Sequence, residues 1–297
     1  MPASPAGRVV VVTDSTAYLP AARVAGLGIE VVPLRVDAGA VQGFEGTDVT
    51  PAAVVPALRS RHVRATTSRP ATTQFADVFS RARAAGAGGV VSVHLSGALS
   101  GTADAARSAA AQWPDGIRIV DSRSTCMGLG FPVLAAAELA SSGAGLDEVA
   151  ARAEAVSRRT TTLFYVDNLE HLRRGGRIGA ARALLGTALS VKPLLHVSGG
   201  HILPLERVRT PAKAIARLAA LAGQAAGDAR VDIAVHHLAA PERADALAAL
   251  VRESVRSIGE LLVLEVGAVI GAHVGPGVLG VVVSRRSARG DSSAGQS

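Results

Sequence analysis

A chain of 297 residues that is 48% hydrophobic and 19% charged can bury one large core or two ordinary ones, and no uninterrupted apolar run reaches the roughly 20 residues of a membrane span. The formal charge is +7, yet only Lys192 and Lys213 of the 31 basic residues are lysines, and aromatic residues are 3% of the chain. Scattered arginines without aromatics to stack bases weigh against nucleic acid and toward an acidic ligand or an acidic partner surface.

The N-terminus MPASPAGR has no apolar signal core, and a single cysteine, Cys126, cannot form an internal disulfide. The expectation is a cytoplasmic protein. Residues 8–13, RVVVVT, read as a buried first strand, because a continuous β-branched run suits a sheet covered on both faces. Asp14-Ser15-Thr16 follows at its C-terminal end, where open α/β sheets bind ligands. These groups either line a site or cap a short helix over 17–25. A second strand is expected over 29–36, an acidic loop over 44–48 and a helix over 50–61. Thr66-Thr67-Ser68-Arg69-Pro70 forms a hydroxyl-rich turn, since Pro70 keeps Arg69 out of the helical region, and a helix follows over 72–85.

Residues 90–107, VVSVHLSGALSGTADAAR, carry the grammar of a strand, a Ser/Gly loop and a helix start. Ser100 or Thr102 is placed to cap that helix, Gly97 and Gly101 let a ligand approach the backbone, and the first-turn N–H groups lack partners. A carboxylate or phosphate fits there. The other reading is that Ser96, Ser100 and Thr102 only cap. Gly97-Ala98-Leu99-Ser100-Gly101 lacks the glycine two before the serine that a nucleophile elbow needs, and GxxxxGK[ST] is absent, so neither a serine hydrolase nor a P-loop NTPase is supported.

A strand is expected over 117–121, then a turn over 122–130 whose Cys126 is either a reactive thiol or a buried spectator. Helices follow over 134–141 and 146–158, and a first domain closes near Arg159. In the second half, 161–166 is a strand and 168–174 a short helix running into Gly175-Gly176-Arg177-Ile178-Gly179. Paired glycines allow a tight turn that projects one guanidinium; alternatively Arg173, Arg174 and Arg177 are a solvated face at a helix C-terminus. Ser198-Gly199-Gly200 joins strands 191–197 and 201–207 in a hairpin. A helix over 211–222, a strand over 231–236 and a helix over 241–257 continue the α/β pattern. The last segment, 261–284, holds the loop 271–277 between two apolar strands, with His273 its one titratable group, structural or functional. Arg289-Gly290-Asp291 falls in a polar tail expected to be disordered, and the tripeptide reads as coincidence.

Taken together the segments resemble the DegV family, whose members include the fatty-acid-binding subunits of bacterial fatty acid kinase. The likeness rests on six ordered motifs: TDST at 13–16, TSRP at 67–70, LSGT at 99–102, VDS at 120–122, FYVDNLEHLRRGGRI at 164–178 and HVGPG at 273–277. It implies a two-domain α/β fold: an N-terminal domain (1–159) with a mostly parallel sheet, flanking helices and the carboxylate-binding loops, a mixed α/β C-terminal domain (160–285), and a disordered tail (286–297).

The resemblance also implies a lipid-binding protein rather than an enzyme. One long-chain fatty acid would lie with its chain buried and its carboxylate presented to a separate ATP-dependent kinase subunit, which makes an acyl phosphate for phospholipid synthesis. By carry-over the head-group residues are Thr67, Ser96 or Ser100, Gly101 and His273. Ser15, Ser68, Arg69 and Arg177 are secondary or face the partner. No cofactor or metal is implied for this chain, and ATP and Mg²⁺ belong to the kinase. Two departures stand out: Arg69 replaces the family's usual glutamine, and Gly97 a common second serine. The competing reading is an enzyme for a small phosphorylated or carboxylated substrate, with Thr67, Ser100 and Arg177 holding the anion and His273 as general acid or base.

Overall fold

Valine runs without polar alternation make strands covered on both faces, and the first, β1 (Val9–Asp14), is an inner strand of a parallel sheet, buried at every position. The computed structural model describes residues 7–60, 63–184 and 192–287. Expectations that fall on residues 1–6, Arg61, Val191 and Arg289-Gly290-Asp291 lie outside the described residues. After β1 come α1 (Ala21–Leu27), β2 (Glu30–Val32), β3 (Arg35–Ala38), β4 (Val41–Phe44), α2 (Pro51–Arg59), β5 (Thr66–Ser68), α3 (Thr72–Ala84) and β6 (Gly89–His94). Next are α4 (Thr102–Ala110), β7 (Ile117–Asp121), α5 (Met127–Ser141), α6 (Leu146–Arg158), β8 (Thr160–Tyr165) and α7 (Glu170–Arg174). The chain continues with β9 (Lys192–Ser198), β10 (His201–Val208), α8 (Pro211–Ala226), β11 (Val231–His237), α9 (Pro241–Ser254), β12 (Ile258–Glu265), α10 (Ala268–Val274) and β13 (Leu279–Arg285).

The first sheet has the order β2-β1-β6-β7 with every pairing parallel. A second, in the order β10-β9-β8-β13-β11-β12, is antiparallel except between β11 and β12. This is the expected α/β class, a parallel sheet followed by a mixed one. Val10 and Val12 bury against Phe75 and Phe79 of α3 and Ala105 of α4. Val9 and Val11 face α5 and α6. Because Ala234 and Val282 of the mixed sheet cover the far side of α5, that helix is apolar nearly all round, as a helix between two sheets must be. Helices α8 and α9 bury the opposite face of the mixed sheet.

A third sheet, β4-β3-β5, is antiparallel. With α2, α7 and α10 it closes over Phe164, Leu195 and Ile202 of the mixed sheet. It is the largest departure from the sequence expectation. The strand expected over 29–36 is split, because Pro33 has no N–H for a ladder, and its two halves join different sheets. The 66–70 turn is partly the strand β5, whose Thr67 pairs with Val36. The helix expected over 17–25 is a single 3₁₀ turn, Ser15–Ala17, followed after Pro20 by α1.

Three further corrections bear on function. The 122–130 turn ends early and α5 already begins at Met127; Gly128 serves close packing, since a Cβ there would sit 2.0 Å from Ser124 Oγ. His273 lies in the last turn of α10, not in a loop. Neither Ser100 nor Thr102 caps α4: Gly101 holds the N-cap position without a side-chain bond, and the two hydroxyls bond each other at 2.9 Å.

The buried Asp14 carboxylate ties the C-terminal ends of β1 and β6 together. Oδ1 accepts from Thr16 N (3.1 Å) and Thr16 Oγ1 (2.6 Å), while Oδ2 accepts from His94 Nδ1 (3.0 Å) and Leu95 N (3.0 Å). His94 Nε2 shares a 2.7 Å hydrogen bond with Ser92 Oγ. The order Ser-His-Asp mimics a hydrolase triad, but all three side chains are fully buried. No substrate reaches them, and the network is structural. Asp14→Ala strands several buried donors at 1–3 kcal/mol each, so urea unfolding should show a loss of about 3 kcal/mol or more at an unchanged m-value; a loss below about 1 kcal/mol contradicts this role.

Candidate functional site

In open α/β sheets ligands lie beyond the carboxyl ends of the strands, and here the loops after β6 and β7 meet the face of the mixed sheet that α5 leaves free. Between them runs a narrow tunnel walled mostly by apolar side chains. Leu34, Leu95, Phe164, Val197, Ile202 and Ile270 are among its walls. Among the described residues no aspartate or glutamate lines it.

One end holds a cluster of polar side chains, brought there by three separate elements. β5 supplies Thr67 and Ser68, followed by Arg69; the loop before α4 supplies Ser100; α10 supplies His273. Thr67 Oγ1 and His273 Nε2 share a 2.9 Å hydrogen bond across 206 residues of sequence. Arg177 enters from beyond α7, its Nε donating to Leu99 O (3.0 Å) and its Nη1 to Gly175 O (2.8 Å). The two glycines before it act differently: Gly176 takes φ +71° to make the turn, whereas a Cβ on Gly175 would lie 2.2 Å from His273 Nδ1. One shapes the chain; the other makes room for the imidazole.

Burial first, and then the Arg177 charge and His171, hold the His273 imidazole down to about pKa 4. Near pH 7 it is neutral, and its buried Nδ1 has no hydrogen-bond partner among the described residues. Arg69 is exposed and reaches Gly101 O at 3.4 Å.

Thr67, Ser68, Arg69, Ser100, Arg177 and His273 thus converge on the tunnel. Ser96 and Ser15 do not. Ser96 Oγ donates to Gly200 O (2.8 Å) and accepts from Ala98 N (3.2 Å), which fastens its loop to the β9–β10 hairpin. Ser15 Oγ accepts from Leu34 N (3.2 Å) and lines a different cleft beside Glu45. Gly101 contributes its backbone at the N-cap of α4.

Sequence reading missed the other end of the tunnel. Val278, just before β13, and Gly280 and Val282 within it continue the lining. His236 stands level with Gly280 and Thr162 with Val282, and Cys126 joins them in the lining. Burial pushes the Cys126 thiol up to about 12, so of the two readings the buried spectator holds. His236 Nε2 accepts from Met127 N at 3.2 Å, and burial holds its pKa down to about 4. Glu45 was also missed: buried beneath α10, with Oε1 accepting from Val269 N (2.8 Å) and Tyr18 OH (3.1 Å), it is pushed up to about 7, chiefly by burial. No periodicity marks such positions. Among the described residues there is no group of three His, Cys, Asp or Glu side chains that could hold a metal, and no helix long and apolar enough to cross a membrane.

The family profile described as an uncharacterised protein of the DegV family matches residues 8–286. A DegV domain-containing protein of Streptomyces coelicolor is 55% identical over 278 residues, covering 94% of this chain and 99% of its own. One from Mycobacterium bovis is 40% identical, covering 93% of this chain and 96% of its own. Among solved structures, one titled as showing fatty acid binding of a DegV family protein from Thermus thermophilus has 35% identity and a TM-score of 0.89, covering 94% of this chain and all of the other. DegV of Bacillus subtilis, described as a fatty acid binding protein, has 30% identity and a TM-score of 0.85, covering 95% of this chain and all of the other.

The depressed pKa of His273 has a stability consequence. Unfolded, the imidazole takes its proton near pH 6.5; folded, only near pH 4. Between those values the unfolded chain binds more protons, so stability falls as pH drops through the window, by on the order of 3 kcal/mol from this group. The contribution is complete above pH 6.5 and gone below pH 4. Urea unfolding of His273→Gln should therefore show a shallower loss between pH 6.5 and 4.5 than the wild type, with His236 keeping its own slope in both; equal slopes contradict the burial argument.

Proposed function

Because this chain belongs to the DegV family, we propose that its tunnel binds one long-chain fatty acid, with the carboxylate at Thr67, Ser100 and His273 and the acyl chain along the aliphatic walls. The observation that carries this reading is a mostly aliphatic tunnel, without an acidic side chain among the described residues, that ends in hydroxyls, a neutral imidazole and an arginine. Burying about fourteen methylenes at roughly 0.8 kcal/mol each is worth on the order of 11 kcal/mol before ordering costs. Charge-assisted hydrogen bonds give roughly 1.5–3 kcal/mol each, and most of that offsets desolvation of the carboxylate. The chain sets affinity, and the hydroxyls set orientation.

The protein then presents the carboxylate to a separate kinase subunit in the cytoplasm. A carboxylate oxygen attacks the γ-phosphorus of ATP, ADP leaves, and the acyl phosphate goes on to phospholipid synthesis. ATP and Mg²⁺ sit on the partner. This chain makes and breaks no bond. Its residues hold the acyl group still, keep water from the chain and, through Arg177, place a fixed positive charge where the anion emerges.

The competing reading, a small anionic substrate with His273 as acid or base, fits less well. Such a substrate leaves the aliphatic walls empty, and a group that titrates near pH 4 is poorly poised for proton transfer at neutral pH. Mass spectrometry of material extracted from the purified protein should show a C16–C18 fatty acid at close to one per chain. A small polar ligand, or substrate turnover without a partner protein, overturns the proposal.

A further inference from the structure

The mouth of the tunnel holds more positive charge than a fatty acid can neutralise. Among the described residues Arg69 and Arg177 are the cations of the lining, and no acidic side chain accompanies them. Neither guanidinium has an ion-pair partner among the described residues; each instead holds a main-chain carbonyl. His273, neutral near pH 7, adds nothing to the sum. A carboxylate supplies one negative charge, so a surplus of about one remains among the neutral side chains of Thr67, Ser68, Ser100 and His273.

The two arginines differ in how they are held. Arg177 is fixed by two bonds, to Leu99 O at 3.0 Å and Gly175 O at 2.8 Å. Arg69 has one long contact, 3.4 Å to Gly101 O, on an exposed side chain. Leu99 and Gly101 are the neighbours of Ser100, so the guanidiniums straddle the serine that faces the head group. One is held at two points; the other, on an exposed side chain, at one.

A phosphoryl group carries about −1.5 to −2 at pH 7 and three strong acceptor oxygens, which matches two guanidinium forks better than a carboxylate does. We propose that Arg69 closes on the phosphoryl oxygens of the acyl phosphate formed from the bound fatty acid, so that this protein holds its phosphorylated product more tightly than the acid. The inference rests on the fatty-acid reading above and adds a product-selecting residue to it.

The test compares binding of palmitate with that of 2-oxoheptadecylphosphonate, in which a methylene replaces the bridging oxygen of palmitoyl phosphate. Wild type, Arg69→Gln and Arg69→Lys are measured at one low salt concentration, after circular dichroism shows that each is folded. The wild type should favour the phosphonate about tenfold or more; Arg69→Gln should lose most of that ratio, and Arg69→Lys should keep part of it. An unchanged ratio in Arg69→Gln, or a wild type with no preference for the phosphonate, overturns the assignment. A Thr67→Ala, Ser100→Ala double variant separates the two levels. If it binds palmitate as the wild type does, the head-group site itself falls. If it loses palmitate while Arg69→Gln keeps the wild-type ratio, only the role of Arg69 falls.

Discussion

A hydrogen bond between Thr67 and His273, 206 residues apart in sequence, holds the mouth of the tunnel together. It joins the edge strand of the small antiparallel sheet to the last turn of α10. Several nearby features depend on that contact. Gly175 lacks a Cβ because the imidazole fills its place, Gly176 turns the chain so that Arg177 comes back over the same spot, and Glu45 anchors the other end of α10 through Val269 N. Without the clamp, β5 and α10 lose the tie that closes the tunnel's polar end.

The clamp is also built at low electrostatic cost. A protonated histidine at this depth would lose its hydration and meet the Arg177 charge, so the imidazole stays neutral and works as a hydrogen-bonding group. Positive charge is left to arginines, which keep it at any physiological pH and tolerate partial burial against carbonyl oxygens. The outcome is one end with two arginines, hydroxyls and a neutral imidazole, and a remainder in which Thr125, Thr162 and His236 stand uncharged near pH 7 among aliphatic walls. The division suits a ligand with a single charged tip.

What could be read from the sequence follows from where the signal is local. The valine runs of β1 and β6, and the strand, loop and helix order over 90–107, were legible because burial on both faces and glycine-serine punctuation are written in neighbouring residues. The three-stranded sheet was not, since strands of three or four residues carry little periodicity and β5 finds its partner β3 far upstream. Glycines misled twice, at α5 and α10, where they allow close packing inside helices rather than turns. Ser96 and Ser100 are alike in sequence; only tertiary contact shows that Ser96 is spent on Gly200 while Ser100 faces the tunnel. The walls come from both halves of the chain, so no single segment announces them.

A crystal structure with 16-bromohexadecanoic acid locates both ends of the ligand at once, because the bromine scatters anomalously. The bromine should lie in the interior, among Cys126, His236 and Val282, with the carboxylate within hydrogen-bond distance of Thr67 Oγ1 and Ser100 Oγ. A bromine at the Arg69 mouth, or ligand bound elsewhere with the tunnel empty, would contradict the placement on which the rest is built.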